Sequence, residues 1–347
     1  MTVERFEVEP GYDISRLVKG GWHLAGGHGR IDRAEAIRDM AAFVEAGITT
    51  FDCADIYTGV EELIGDFRAA RPSLAPLIQI HTKFVPDLRR LGRMTRGDVE
   101  RIVDRSLRRL RVERLDLVQY YWWDPDGTPG FVETGQWLTE LCRAGKITRI
   151  GVSNFNAAQL ERLVEAGIPV LTSQPQYSPI DLRPENALIP ACRERGIVQL
   201  CYGTLAGGFI AADWLGAPEP PGPFDNRSLT KYKLIIDDFG GWSLFQELLA
   251  ALRAIAGKHG RSIPQVALRW ILERPNVAAA IVGATSTRHL AENVAVFDFA
   301  LDAEDHAALA AVTSRRSGPA GDAFDLERDR EGRHGRIMRY DLNEPAA

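Results

Sequence analysis

Eight short apolar runs, each followed by an amphipathic stretch, recur along this chain, and that alternation restricts its fold more than any other feature. Runs at 16–18, 49–53, 77–82, 115–120, 147–152, 170–174, 197–201 and 277–282 read as strands. The periodicity predicts helices over 33–46, 60–70, 98–110, 131–144, 157–166, 185–195, 243–258 and 263–273, with two more at 287–295 and 303–313. In the 98–110 segment Val99, Ile102, Val103, Leu107 and Leu110 form one stripe, with Asp98 as the expected N-cap. Strand–helix units at this spacing imply parallel strands joined by right-handed crossovers, hence a closed (β/α)8 TIM barrel or a doubly wound sheet. No G-x-G-x-x-G follows the first strand, which favours the barrel. The 347 residues contain no linker that divides them, so one barrel domain over 1–347 is expected. Two segments depart from the repeat. Residues 203–242 include GAPEPPGPFD and are expected to form a long loop. Residues 314–347 are a charged tail expected to drape over the barrel mouth or be partly disordered.

Composition narrows the function classes. Lys and Arg number 42 against 47 Asp and Glu, a net charge of -5, which argues against nucleic acid or an anionic membrane as the partner. Cys53, Cys142, Cys192 and Cys201 lack metal or CxxC spacing and suit a reducing compartment. The start, MTVERFEVEPGYD, has no apolar h-region, so no signal peptide is expected, and no apolar run is long enough for a bilayer span. A cytoplasmic enzyme, monomeric or a small homo-oligomer, is the resulting expectation. No metal, P-loop or G-x-S-x-G pattern occurs. The arginines between 89 and 114 are interleaved with Asp98, Glu100, Asp104 and Glu113 and read as a solvated helix face.

Barrel chemistry sits at the C-terminal strand ends. Those ends carry Asp52 with Tyr57 beyond it, Lys83, Tyr121-Trp122-Trp123, Ser153-Asn154, Gln174, Tyr202 and Gly283-Ala284-Thr285. A phenol ionises near pH 10. A neighbouring ammonium favours the phenolate, and an Asp paired with that Lys fixes the charge. Tyr57, Lys83 and Asp52 therefore suit a general acid acting on a carbonyl oxygen. Taken by position alone, Asp52–Lys83 also suits a buried ion pair plugging the barrel, and Ser153-Asn154 also suits a helix cap. Trp22, His23, Tyr57, Trp122 and Trp123 are the expected pocket for an apolar or aromatic small molecule. His81 shares a strand face with Lys83 and reads chiefly as a hydrogen-bonded barrel residue.

FDCADIYTGVEELIG resembles the Asp-x-(Ala)-x-x-Tyr-(Gly)-x-x-Glu signature of the aldo-keto reductases. HTK at 81–83, RLDLVQYYW at 114–122, IGVSNF at 150–155, SQPQYSP at 173–179 and CYGTLAGG at 201–208 continue it. IPQVALRWIL at 263–272 and IVGATSTRHLAENVAVFDF at 281–299 complete an ordered set within 16–313. The resemblance implies a (β/α)8 barrel, a nicotinamide cofactor (usually NADPH) and reduction of a small carbonyl compound or oxidation of an alcohol. It implies that Asp52, Tyr57 and Lys83 are three of four catalytic residues. It places Ser153, Asn154 and Gln174 on the nicotinamide carboxamide and Tyr202 against its ring, with Gly21 and Trp22 nearby. It puts Gly203, Leu205 and Gly207 along the pyrophosphate, and Gly283, Ala284, Thr285, His289, Glu292 and Asn293 at the adenosine end.

Two positions depart from the family pattern. Tyr121 stands where the family has His. A phenol donates a hydrogen bond to a carbonyl oxygen but does not become a cation near neutral pH, so slower or altered chemistry is expected. Gly283 and His289 stand where the family often has basic residues facing a 2′-phosphate. Arg288 is the expected substitute, with NADP the expected cofactor and NAD the alternative. The lost His also leaves open a cofactor-binding regulatory barrel or a redox-neutral enzyme.

Overall fold

The apolar runs become eight parallel strands that close into a cylinder, in a computed structural model that describes residues 2–25, 31–224 and 226–343. The chain begins with an antiparallel hairpin, β1 (Arg5–Glu9) and β2 (Tyr12–Ser15). The barrel strands are β3 (Leu17–Gly20), β4 (Thr50–Asp52), β5 (Gln79–Phe84), β6 (Leu115–Tyr120), β7 (Ile147–Ser153), β8 (Val170–Gln174), β9 (Val198–Cys201) and β10 (Val277–Gly283). They pair in chain order, and β10 closes the circle on β3 through Ala280↔Leu17 to Gly283↔Gly20. The helices between them are α1 (Arg33–Glu45), α2 (Val60–Ala70), α3 (Arg96–Leu110), α4 (Phe131–Arg143), α5 (Ala157–Glu165) and α6 (Leu188–Glu194). After β9 come α7 (Arg227–Phe239), α8 (Gly241–His259) and α9 (Ile263–Leu272), and after β10 come α10 (Leu290–Val294), α11 (Ala303–Thr313) and α12 (Asp325–Arg328).

The hairpin has no counterpart in the sequence reading. Tyr12 and Ile14 are buried against Val18, Leu117, Val198 and Leu200, so it stoppers the N-terminal end of the cylinder. The Tyr12 hydroxyl meets His81 Nε2 at 2.9 Å, and burial pushes the His81 pKa down to about 3. His81 is thus a neutral barrel residue tied to the plug, away from the opposite mouth.

The segment 203–242 is not the long loop expected. Residues 215–224 form no helix or strand, but α7 follows, capped by the Asn226 side chain on the Leu229 amide. Tyr232, Ile235, Ile236 and Phe239 give it an apolar face, and propensity reverts to helical once the prolines end. The N-cap of α3 is Thr95; Asp98 is its capping-box partner and accepts from the Thr95 amide at 2.9 Å. Four of the five α3 arginines are in ion pairs: Arg96–Glu140 at 2.7 Å, Arg109–Glu62 at 2.8 Å, Arg105–Asp55 at 3.4 Å and Arg101–Asp98. Among the described residues, no helix is long and apolar enough to cross a membrane, and no cluster of three or more His, Cys, Asp and Glu could hold a metal ion.

The α2–α3 contact depends on Gly65, where an added Cβ would lie 2.1 Å from the Arg109 carbonyl oxygen. Alanine in a helix is normally favoured over glycine by about 1 kcal/mol. A backbone overlap of this size forces the helices apart, at about 1–3 kcal/mol. Gly65→Ala is therefore expected to lower the midpoint of denaturant unfolding; a raised midpoint would refute the close approach.

Candidate functional site

Strand alternation decides which side chains reach the C-terminal mouth. On β4 the outward Phe51 packs under the helices and Asp52 points in. On β5, Lys83 donates to both Asp52 oxygens at 2.7 Å and to the Cys53 carbonyl at 2.9 Å. Asp52 Oδ1 also accepts from Gln119 Nε2 at 3.1 Å and Gln174 Nε2 at 2.7 Å. Both charges are buried, at 4% and 6% exposure, so the extra donors matter: a buried carboxylate is stable only when its lone pairs are met. Burial pulls the Lys83 pKa down, but Asp52 and Tyr57 outweigh it and hold the ammonium above its ordinary value.

Tyr57 lies over this pair, its ring centroid 5.0 Å from Lys83 Nζ and 5.1 Å from the Trp22 ring. The sequence argued for a lowered phenol pKa. The structure gives the opposite sign, because burial raises it by more than Lys83 lowers it. Tyr57 is therefore held as a neutral donor.

Above the pair is a cavity of about 420 Å³. Trp22, His23, Tyr57, Tyr121 and Trp123 line it, but Trp122 does not. Gln119 points inward to Asp52, so Tyr121 and Trp123 continue that face while Trp122 turns out into the helix layer and is fully buried. The Tyr121 hydroxyl is buried with no hydrogen-bond partner among the described residues, and its ring is packed by Trp123 at 4.7 Å and Phe324 at 6.0 Å.

The other expected residues divide into two groups. Ser153, Asn154, Gln174, Tyr202, Gly203, Leu205, Gly207 and Gly283 line the cavity. Asn154 has φ of 61°, and its Oδ1 accepts from the Tyr202 hydroxyl at 2.8 Å; the cap of α5 is Asn156, not Ser153 or Asn154. Glycine is required at 203 and 207, where the Tyr232 side chain comes within 2.4 and 2.5 Å of an added Cβ. Gly21 is displaced from the lining by Gly20; its amide donates to the Asp52 carbonyl at 2.7 Å. Ala284, Thr285, Arg288, His289, Glu292 and Asn293 also lie outside the lining, since the chain turns away after β10. Arg288 and His289 are exposed, and His289 Nδ1 is 3.1 Å from Glu292.

Lining residues not named from the sequence include Arg227, Ser228, Lys231 and Tyr232 of α7, Ile56 and Val85, and Phe324, Ile337, Met338, Arg339 and Leu342 of the tail, the segment expected to drape over the mouth or be partly disordered. The i, i+4 pair Arg227 and Lys231 beside the Asn226 cap was the available signal for α7. The tail crosses the mouth; its last four residues, 344–347, lie outside the described residues. A fully buried network pins it. Arg183 donates to Asp181 at 2.7 and 2.9 Å and to Glu327 at 2.8 and 3.1 Å. Arg328 then donates to the carbonyls of Trp122 at 2.8 Å, Trp123 at 2.7 Å and Asn154. Asp52 is the only acid among the described lining residues, against Lys83, Arg227, Lys231 and Arg339. Such a lining suits a ligand with a flat ring and anionic groups.

A sequence model described as the aldo/keto reductase family matches residues 16–314. An aldo-keto reductase of Bacillus subtilis, YhdN, is 28% identical over 91% of this chain and 95% of its own length. An NADH-specific methylglyoxal reductase of Escherichia coli is 25% identical over 84% of this chain and 92% of its own. The solved glycerol dehydrogenase of Gluconobacter oxydans superposes with a TM-score of 0.76 at 26% identity, covering 92% of this chain and 97% of that one.

Burial pushes the Glu327 carboxyl upward, but Arg183 and Lys231 outweigh it and bring its pKa to about 2, against an ordinary 4.5. A depressed pKa contributes stability that is complete above pH 4.5 and is lost as pH falls toward 2. Tail residues 314–343 are therefore expected to become protease-sensitive over that acid window. Glu327→Gln should release them at neutral pH and cost about 3–5 kcal/mol by leaving Arg183 under-paired. Limited proteolysis with denaturant unfolding reads both; a tail equally protected in the variant would refute the anchor.

Proposed function

The chain belongs to the aldo/keto reductase family, a family of oxidoreductases, and on that premise we propose that it reduces the carbonyl of a small molecule using a nicotinamide dinucleotide. The observation that carries this reading is the clamp of Lys83 on both Asp52 oxygens directly beneath Tyr57. When bound, the dinucleotide supplies the hydride.

The protein's own residues handle binding and the proton. Tyr202 offers a ring face, and Ser153 and Asn154 offer amide partners beside it. Arg227, Arg339 and the backbone at Gly203 and Gly207 suit the phosphates. Tyr57 gives its proton to the carbonyl oxygen, and Lys83 stabilises the phenolate left behind. Asp52 keeps Lys83 charged and aimed. Tyr121, with its unpartnered hydroxyl at the same cavity, donates a second hydrogen bond to that oxygen. Because a phenol carries no charge, this second contact gives less transition-state stabilisation than an imidazolium would. Wrapping by Trp123, Phe324 and Met338 excludes water, which strengthens the remaining electrostatics.

NADP is the preferred dinucleotide, with Arg288 as the side chain for a 2′-phosphate. One observation favours NAD as a second reading. The His23 ring lies 2.1 Å from where a Cβ on Gly283 would be, so a basic side chain at 283 is sterically replaced by an imidazole.

Tyr57→Phe is expected to lower kcat by about 10²–10⁴-fold while dinucleotide affinity stays within about twofold. Steady-state turnover with a simple aldehyde and fluorescence titration measure these; full turnover by the variant would remove Tyr57 as the acid. Titration of the protein's tryptophan fluorescence with NADPH and NADH tests the cofactor, since Trp22 lines the cavity. Tighter quenching by NADPH, lost in Arg288→Ala, is expected. Tighter NADH binding would overturn the Arg288 assignment.

A further inference from the structure

Beyond its part in holding Glu327 ionised, Lys231 has no task in the scheme above. It projects from α7 into the cavity with its side chain at 15% exposure. Its surroundings are aromatic: Nζ lies 5.1 Å from the Tyr202 ring centroid, 5.4 Å from that of Phe324 and 5.9 Å from that of Tyr232. Its polar contacts are long. The Tyr202 hydroxyl is at 3.4 Å, and Glu327 is at 3.8 Å. Both Glu327 oxygens are already held by Arg183 at 2.8 and 3.1 Å. Glu327 and Asp181 face Arg183 and Arg227 as well as Lys231, so three cations share two carboxylates. Burial accordingly lowers its pKa. An ammonium in such a place is stabilised by an anion that arrives with a ligand.

One of its ring contacts links it to the Tyr121 side of the cavity. The Phe324 ring, in contact with Lys231, also packs edge-on against Tyr121 at 6.0 Å. Tyr121 in turn groups with Ile56, Val85, Trp123 and Met338. One aromatic ring thus separates Lys231 from the proposed second donor to the carbonyl oxygen, with apolar walls between. Arg227, one turn earlier, donates to the Ile337 carbonyl at 2.7 Å.

We propose that Lys231 is a specificity-determining residue that pairs with a carboxylate on the far end of the carbonyl substrate, so that the enzyme prefers aromatic or similarly sized aldehydes and ketones bearing an acid group. This rests on the carbonyl-reductase reading of the same cavity. The alternative, that Lys231 serves a dinucleotide phosphate, is the competing outcome of the test.

The test compares 4-formylbenzoate with 4-formylbenzamide, two probes of nearly equal shape that differ in charge, at saturating dinucleotide. The intact enzyme is expected to favour the benzoate at least tenfold in kcat/KM, with the difference in KM. Lys231→Met should raise the KM for the benzoate about tenfold and bring the ratio near one, and Lys231→Arg should restore part of it. Equal kcat/KM for the two probes in the unaltered enzyme would overturn the proposal without any variant. So would a Lys231→Met enzyme whose KM rises for the dinucleotide while the probe ratio is kept. Absence of turnover with both probes, and with simple aldehydes, would instead overturn the reductase reading and the proposal with it.

Discussion

Closing eight parallel strands on themselves forces their C-terminal ends to share one mouth, and every polar group placed there must be satisfied by its neighbours across the barrel. Asp52 shows the consequence. It takes hydrogen bonds from Lys83, Gln119 and Gln174, which lie on β5, β6 and β8. A single carboxylate thereby ties four strand ends together. The same interaction holds a cation under Tyr57 in a place too buried for water to stabilise it. The strand ends at the mouth and the candidate chemistry therefore share one ion pair, and its surplus hydrogen bonds explain how it tolerates burial.

The apolar runs could be read because parallel barrel strands are buried on both faces and carry little else. Boundaries moved by one or two residues, as at β3 and β5, where Lys19 and Lys83 extend the strand beyond its apolar part. The face of each residue was also available. Counting in twos from Gln119 puts Tyr121 and Trp123 in the cavity and Trp122 outside, so the inclusion of Trp122 came from residue type overriding parity. What could not be read was long-range. Nothing local says that Glu327 closes on Arg183, 144 residues earlier, or that Phe324 roofs Tyr121. The β1–β2 hairpin was hidden by its acidic residues, although Pro10-Gly11 marks the turn.

The sign of the Tyr57 shift shows why residue identity alone does not fix the chemistry. Lys83 does act to lower that pKa, as charge alone suggests, yet desolvation acts on the same group and is larger. Both effects come from the same geometry: the mouth that brings Lys83 close also removes water. A neutral phenol beside a fixed ammonium is suited to giving up its proton only when negative charge develops on a nearby oxygen. That is the requirement of carbonyl reduction, in which the oxygen is uncharged at the start and basic at the transition state.

Tyr121 shifts the remaining burden onto the walls. A histidine at that position would add charge to oxygen recognition; a phenol adds only a dipole. The tail and α7 supply what is missing in another form, because Phe324 and Met338 narrow the cavity around Tyr121 while Lys231 stands one ring away. Orientation of a substrate by a distant charge and close apolar packing lowers the barrier through position rather than through polarisation of the carbonyl. Under the proposed pairing of Lys231 with a substrate carboxylate, such a site discriminates through its far end, which small unadorned aldehydes do not reach. On the proposed reading, Tyr121 in place of a histidine and the cation at Lys231 are two aspects of one arrangement, in which binding energy from the remote group replaces electrostatic assistance at the reacting oxygen.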